Sequence, residues 1–132
     1  MMPVQKEIEV ILARQLADFL AMPIFIVDPQ GNLLFYNGPA ERILGLRFEE
    51  TGEMSVAEWS SVFRPTDERG QPISQESLPL VIALTQRRPA HRGFWIRGLD
   101  GVPRHIEVAA FPLIGQVGSH LGAMAVFWEV KE

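Results

Sequence analysis

The chain has 132 residues, 47% of them hydrophobic, and it carries a formal net charge of −4 at pH 7. This length and composition suit one domain with a hydrophobic core of its own. The absence of cysteine excludes disulfides, thiolate metal sites and cysteine nucleophiles, and the negative charge argues against nucleic acid as the main partner.

No stretch of the sequence predicts a membrane span. The longest apolar stretches, residues 19–27 and 121–128, fall far below the roughly 20 residues that a membrane-spanning helix needs. The charged residues close to the start, Lys6, Glu7 and Glu9, are not typical of a signal peptide. We therefore expect no membrane association and a cytoplasmic location.

The first predicted element is an amphipathic helix over residues 1–21, and a domain over residues 22–132 follows it. Apolar residues recur at three- and four-residue spacing, and Pro23 ends the helix. The apolar stripe must be buried, either on the outer face of its own sheet or against the same helix of a second copy. In the second case the dimer interface comprises Val4, Ile8, Ile11, Leu12, Leu16 and Phe19.

A β-hairpin is predicted next. Residues 24–27 and 33–36 are β-branched, aliphatic and aromatic runs, and Asp-Pro-Gln-Gly at residues 28–31 supplies the turn between them. Alternation along each strand then decides which side chains point inward. The residues placed on the inner face are Phe25, Val27, Leu34 and Tyr36.

Helices are predicted between the hairpin and the later strands. Asn37 can cap a helix that begins near Pro39, where proline fits the first turn, and Gly45 ends it. Residues 55–63 predict one or two helical turns, and residues 74–87 predict a longer helix.

Three further strands are predicted at about residues 90–97, 104–113 and 120–130, and their short glycine-containing turns favour antiparallel pairing. In the middle one, Ile106 and Val108 share the side that we place toward the helices. The last strand shows no alternation, which predicts that both of its faces are covered.

The opening pattern, Asp-x-x-Gly, five residues and Asn-x-x-Ala-x-x-x-Leu-Gly, runs from Asp28 to Gly45. It resembles the opening of PAS domains, the sensory modules of signalling proteins. Similar middle and final segments follow in order, and the resemblance covers roughly residues 18–130. The other residues that carry it are Asp67, Gly70, Pro72, Glu76, Pro79, Leu80, Ala83, Leu84, Pro89, Asp100, Gly101, Pro112 and Gly122.

The resemblance implies an α+β fold, a PAS-like five-stranded antiparallel sheet with helices on one face. The N-terminal amphipathic flanking helix would precede it. In PAS domains such a helix commonly mediates dimerisation, so the resemblance also implies a homodimer.

No constellation of residues predicts catalysis or a metal site. His91, His105 and His120 fall on different predicted strands or edges, without metal-ligand spacing. There is no nucleophile elbow and no phosphate-binding glycine loop. We therefore predict that the chain is not an enzyme.

The resemblance also bears on cofactors. PAS photosensors with cysteinyl flavin or coumaroyl chromophores need a cysteine, which this chain lacks. Haem-binding PAS sensors usually use a histidine on the helix before the third strand, and residues 74–87 contain none. Because His91, just beyond that helix, is the one remaining candidate, haem is disfavoured.

An apolar pocket between sheet and helices would suit a small hydrophobic ligand. The alternative, a filled core, stays open. Trp59, Trp95 and Trp128 fit either a pocket or a dimer seam, and Tyr36 is predicted to orient a ligand through its hydroxyl. The pocket candidates are Phe25, Val27, Leu34, Tyr36, Ile43, Phe63, Leu80, Leu84, Ile106 and Val108.

Three functions follow as hypotheses. The first is a regulatory module that couples binding of a ligand or partner to an effector domain or partner protein. The second is a protein–protein interaction module with a closed core, which acts by dimerisation. The third is a haem-based sensor.

Overall fold

The structure is a computed structural model that describes residues 12, 15 and 21–130. Most of the predicted leading helix, with Val4, Ile8, Ile11, Leu16 and Phe19 of the predicted dimer interface, lies outside the described residues. Leu12 and Gln15 are helical and exposed.

Five strands form one antiparallel sheet, as predicted. The strands are β1 (Ile24–Val27), β2 (Leu33–Tyr36), β3 (Ala90–Arg97), β4 (Pro103–Ile114) and β5 (His120–Glu129). Their order across the sheet is β2-β1-β5-β4-β3, so the last strand in sequence lies in the centre.

Four α-helices lie between β2 and β3 in the chain. They are α1 (Gly38–Leu44), α2 (Phe48–Thr51), α3 (Val56–Val62) and α4 (Pro79–Gln86). The short helix α2 was not predicted. Two 3₁₀ turns, Gln75–Ser77 and Gln116–Gly118, complete the regular structure of the described residues.

Helix α4 is shorter than the predicted helix over residues 74–87. Leu78 is extended, with φ −74° and ψ 137°, because the residue before a proline is disfavoured in the helical region. The chain before it forms the separate turn Gln75–Ser77. At the other end Arg87 adopts φ 55°, which stops the helix.

Helices α1 and α3 begin as the sequence predicts. The Asn37 side chain accepts a hydrogen bond from the backbone N–H of Ala40, and Gly45 ends α1 with φ 88°. Ser55 and Glu58 form a reciprocal capping box at the start of α3.

The main core lies between the helices and the inner face of the sheet. Ile106 and Val108 are buried in it, as predicted. A smaller cluster on the outer face contains Ile24, Ile26 and Met124. Residues 121–125 of β5 are all buried, in agreement with its lack of alternation.

Leu34 does not lie on the inner face, and its predicted position is wrong. Ile26 pairs with Phe35 in the hairpin, but the next residue, Val27, pairs with Leu33. This shift in register interrupts the alternation along β2. Leu33 therefore enters the main core, whereas Leu34 packs against the outer-face cluster.

Candidate ligand-binding cavity

A cavity of about 80 Å³ lies between the inner face of the sheet and the helices. The sheet contributes one wall, with side chains from four of its strands. These include Phe25 of β1, Ile96 of β3, Ile106 of β4, and Ala125 and Phe127 of β5. Their common face follows from the antiparallel register, in which Phe25 pairs with Ala125.

The helices and the segments between them form the opposite wall. Helix α3 contributes Trp59 and Ser60, Phe63 follows at its end, and Pro79 and Leu80 come from the first turn of α4. Every one of these residues except Ser60 is buried. Buried residues therefore form nearly all of this wall, and the half-buried Ser60 brings it to the surface.

The structure brings five of the predicted pocket residues to the cavity. Val27, Tyr36, Ile43 and Leu84 belong to the same core but do not line it, and Leu34 lies on the other face of the sheet. The five that line the cavity are Phe25, Phe63, Leu80, Ile106 and Val108.

Trp59 is a cavity residue and not part of a dimer seam. Its ring meets that of Phe25 edge to face, with centroids 5.4 Å apart. Its Nε1–H donates to the carbonyl of Gly31 at 2.8 Å. This hydrogen bond satisfies the indole and holds the ring against the sheet, as a buried tryptophan requires.

Tyr36 does not have the predicted role of orienting a ligand. Its ring is stacked with Phe25, but its hydroxyl donates to the carbonyl of Leu46 at 2.6 Å and lies 3.2 Å from the hydroxyl of Thr51. Burial raises the pKa of Tyr36. The hydroxyl therefore stays protonated at neutral pH and holds the segment after α1.

His91 lies on the outer face of the sheet, away from the cavity. Its Nε2 is 2.8 Å from the carboxylate of Glu107, and its ring stacks with Trp128. A Cβ on Gly93 would collide with that carboxylate, so the glycine makes room for the pair.

The residues around the cavity do not fit a haem. None of the lining residues is a histidine, and His91 is separated from the cavity by the sheet. Among the described residues, no group of three or more His, Cys, Asp or Glu side chains is arranged to hold a metal ion.

Aromatic side chains also lie on the outer face. Trp95 stacks with His105 at 4.6 Å between ring centroids. Trp128 and Phe111 leave 41% and 36% of their surfaces exposed. We call Trp95, Phe111 and Trp128 the outer aromatic patch.

Several lining residues were missed from the sequence. Phe94 and Ile96 alternate with Trp95 and Arg97 along β3, and this pattern indicates their inward position. No such signal exists in β5, because residues on both of its faces are apolar. The inward position of Ala125 and Phe127 therefore follows only from the register of the folded sheet.

The fold and the site together define an α+β domain in which a small apolar cavity lies between an antiparallel sheet and short helices. A family profile described as the PAS fold matches residues 12–130. The chain belongs to the PAS family, whose members are generally non-catalytic sensory modules of signalling proteins. The predicted resemblance to PAS domains is thus confirmed, and so is the predicted α+β fold with its five-stranded antiparallel sheet and helices. Most of the predicted N-terminal flanking helix lies outside the described residues.

Solved structures of PAS domains share this fold. The chain is similar to a PAS domain from Colwellia psychrerythraea, with 18% identity and a TM-score of 0.65, over 92% of this chain and 97% of that one. The PAS domain of the fruit-fly ELK potassium channel gives 9% identity and a TM-score of 0.71, over 93% and 98% of the two chains.

A third similar structure is the PAS domain of BvgS from Bordetella pertussis. It is 19% identical, with a TM-score of 0.67, over 94% of this chain and 88% of that one. At these identities the likeness shows the fold alone. None of the curated proteins matches this chain by sequence.

Within the described residues, the structure contains no helix that is both long and apolar enough to cross a membrane.

Proposed function

We propose that the chain is a non-catalytic sensory domain of a signal-transduction protein, and that it binds a small hydrophobic ligand in the cavity between sheet and helices. The observation that carries this proposal is the apolar cavity itself. Well-packed cores contain few voids larger than a water molecule, so a cavity of about 80 Å³ is space that the core leaves for another molecule. The signal produced by ligand binding would be passed to an effector domain or a partner protein.

The test is a nuclear magnetic resonance titration of the purified chain with a panel of small molecules that differ in size and polarity. Backbone amide signals of residues around the cavity should shift and saturate with at least one of them. In Ala125→Leu, three added carbons would occupy the cavity, so these shifts should disappear. Ala109→Leu, the same change on the outer face of the neighbouring strand, should leave them intact.

The proposal is contradicted if no molecule of the panel binds, or if Ala125→Leu binds as well as the wild type. A milder variant, Ala125→Val, covers the case in which the leucine variant does not fold. Overpacking typically costs about 1–3 kcal/mol, but here the added atoms enter existing space.

A second proposed activity is homodimerisation through the leading helix. Leu12, the one described residue of the predicted dimer interface, is helical and leaves 58% of its surface exposed. Phe111 and Trp128 of the outer aromatic patch add large exposed side chains on the sheet, and aromatic residues are enriched in protein–protein interfaces. A second copy of this chain would cover the apolar stripe of the predicted helix.

Sedimentation equilibrium tests this activity. Leu12→Glu should shift the chain toward monomer by at least tenfold in the dimer dissociation constant, because it places a charge in an apolar seam. Gln15→Glu introduces the same charge at the other described position of the helix and should change the constant much less. Equal effects of the two variants, or a monomeric wild type, would contradict dimerisation through this stripe.

A further inference from the structure

The polar groups beside the cavity already have partners. Trp59 Nε1 donates to the carbonyl of Gly31 at 2.8 Å, and the Ser60 hydroxyl donates to Gln75 Oε1 at 3.2 Å. None of the lining residues is acidic or basic. A ligand in the cavity therefore meets hydrocarbon and aromatic surface, and the two side-chain donors beside it already have acceptors.

The cavity is also small. An apolar cavity of about 150 Å³ in another protein stays dry and binds benzene or xenon, and this cavity is about 80 Å³. Pockets for drug-sized ligands measure roughly 300–1,000 Å³. The size excludes a nucleotide, a haem or a long acyl chain in this conformation.

From size and polarity together, we infer that the cavity selects a neutral molecule without hydrogen-bonding groups, no larger than a five-membered ring. This inference rests on the proposed function, since it names the ligand class of the same site. A hydrogen-bonding group on such a ligand would lose its water and find no partner. An unpaired buried polar group weakens binding on the order of 10- to 100-fold.

Thiophene and pyrazole are the probes that test this selectivity. Both are five-membered aromatic rings of similar size, but pyrazole carries an N–H donor and a nitrogen acceptor. Each is titrated into the purified chain, with amide shifts of the cavity residues as the readout. Thiophene should bind at least tenfold more tightly than pyrazole, and Ala125→Leu should abolish its binding while Ala109→Leu keeps it.

The outcomes separate the two proposals. Pyrazole binding as tightly as thiophene would overturn the inferred ligand class but leave the proposed function in place. Selective binding of a larger polar molecule from the panel would do the same. If thiophene, pyrazole, xenon and the rest of the panel all fail to bind, the proposed function fails with the inference.

A separate observation indicates the entrance to the cavity. Ser60 is the one lining residue that is not buried. Its hydrogen bond to Gln75 joins helix α3 to the turn Gln75–Ser77, which directly precedes the lining residues Leu78 and Pro79. We propose that ligands enter between α3 and this turn, and that the Ser60–Gln75 bond is the latch that restricts this entrance.

Ligand exchange rates test the latch. Ser60→Ala and Gln75→Ala should each raise the association and dissociation rates of thiophene about threefold, the effect of one weak hydrogen bond on an opening equilibrium. The dissociation constant should stay nearly unchanged, because opening precedes both entry and exit. NMR line shapes across the titration give both rates.

Ser61→Ala is the matched control. The Ser61 hydroxyl donates back to the carbonyl of Ala57 at 2.8 Å within the same helix, so its loss removes a serine from α3 without touching the turn. Unchanged rates in both latch variants would overturn the proposed entrance. So would an equal acceleration in Ser61→Ala.

Discussion

Asn37 is a buried residue whose amide makes three hydrogen bonds at one junction of the fold. Its Oδ1 accepts from the backbone N–H of Ile24 at 3.1 Å and of Ala40 at 3.2 Å. Its Nδ2 donates to the carbonyl of Met22 at 2.7 Å. One side chain therefore ties the first turn of α1 to the start of β1 and to the chain before it.

Replacing Asn37 should be costly. We expect Asn37→Ala to lower the free energy of unfolding by about 2–3 kcal/mol, because it removes a helix cap and leaves buried backbone groups unpaired. Urea denaturation measures the change. Gly38→Ala alters the neighbouring exposed position, where a Cβ would meet no atom within 4 Å, and should change stability by less than about 1 kcal/mol. Similar losses in the two variants would contradict this role of Asn37.

At the scale of elements, the turn between β3 and β4 is fastened to the end of α1. Arg104 makes two hydrogen bonds to the Asp100 carboxylate, at 2.8 and 3.1 Å, and a third to the carbonyl of Ile43 at 2.9 Å. Gly45 allows this close approach, since a Cβ there would lie 2.7 Å from the backbone nitrogen of Asp100.

This junction should make stability depend on pH in the acidic range. The hydrogen bonds from Arg104, helped by the backbone N–H of Val102, lower the pKa of Asp100 from 3.8 to about 2. The pKa of Asp100 is lower in the folded state than in the unfolded chain. Its contribution to stability is therefore complete above the pKa of the unfolded chain and is lost as pH falls from about 4 toward 2. Wild type should therefore lose stability on acidification more steeply than Asp100→Asn.

Denaturation across that pH range measures the difference between the two proteins. Arg104→Gln should remove the same pH-dependent contribution to stability. The double variant should lose little more stability than either single variant. A wild-type advantage over Asp100→Asn that is constant with pH would contradict the assignment.

Local signals in the sequence predict most of the elements, because turns and caps depend on a few neighbouring residues. The bounds of β1, β2 and β3 match their prediction, and Asn37 and Gly45 limit α1 as expected. Leu34 was misplaced because a shift in strand register is a property of the pair and not of one strand.

At the scale of the whole molecule, the cavity was only partly predictable. The sequence indicates which strand faces are apolar, but whether facing side chains fill the space between them depends on volumes and angles that appear only in the fold. The contact between Ser60 and Gln75 likewise joins residues 15 positions apart, and no periodicity predicts it.

Strand β5 takes part in both of the proposed activities. Phe127 lines the cavity on the inner face, and the next residue, Trp128, belongs to the outer aromatic patch. Because consecutive side chains of a strand point to opposite faces, these two adjacent residues place the cavity and the outer aromatic patch on either side of the same backbone. The centre of the sheet therefore joins the cavity to the surface that we propose as part of the dimer interface.

If this connection carries the signal, ligand binding and dimerisation must be linked. We expect saturating thiophene to tighten the dimer about fivefold or more, because a filled cavity restricts the positions of Phe127, and sedimentation equilibrium measures the shift. Thermodynamic reciprocity then requires the dimer to bind thiophene more tightly than the monomer by the same factor, which titrations above and below the dimer dissociation constant determine. Ala125→Leu should dimerise without responding to thiophene. A factor of one in both measurements would mean that the cavity and the dimer surface act independently, and the signal would then have to leave the cavity through the helices instead of the sheet.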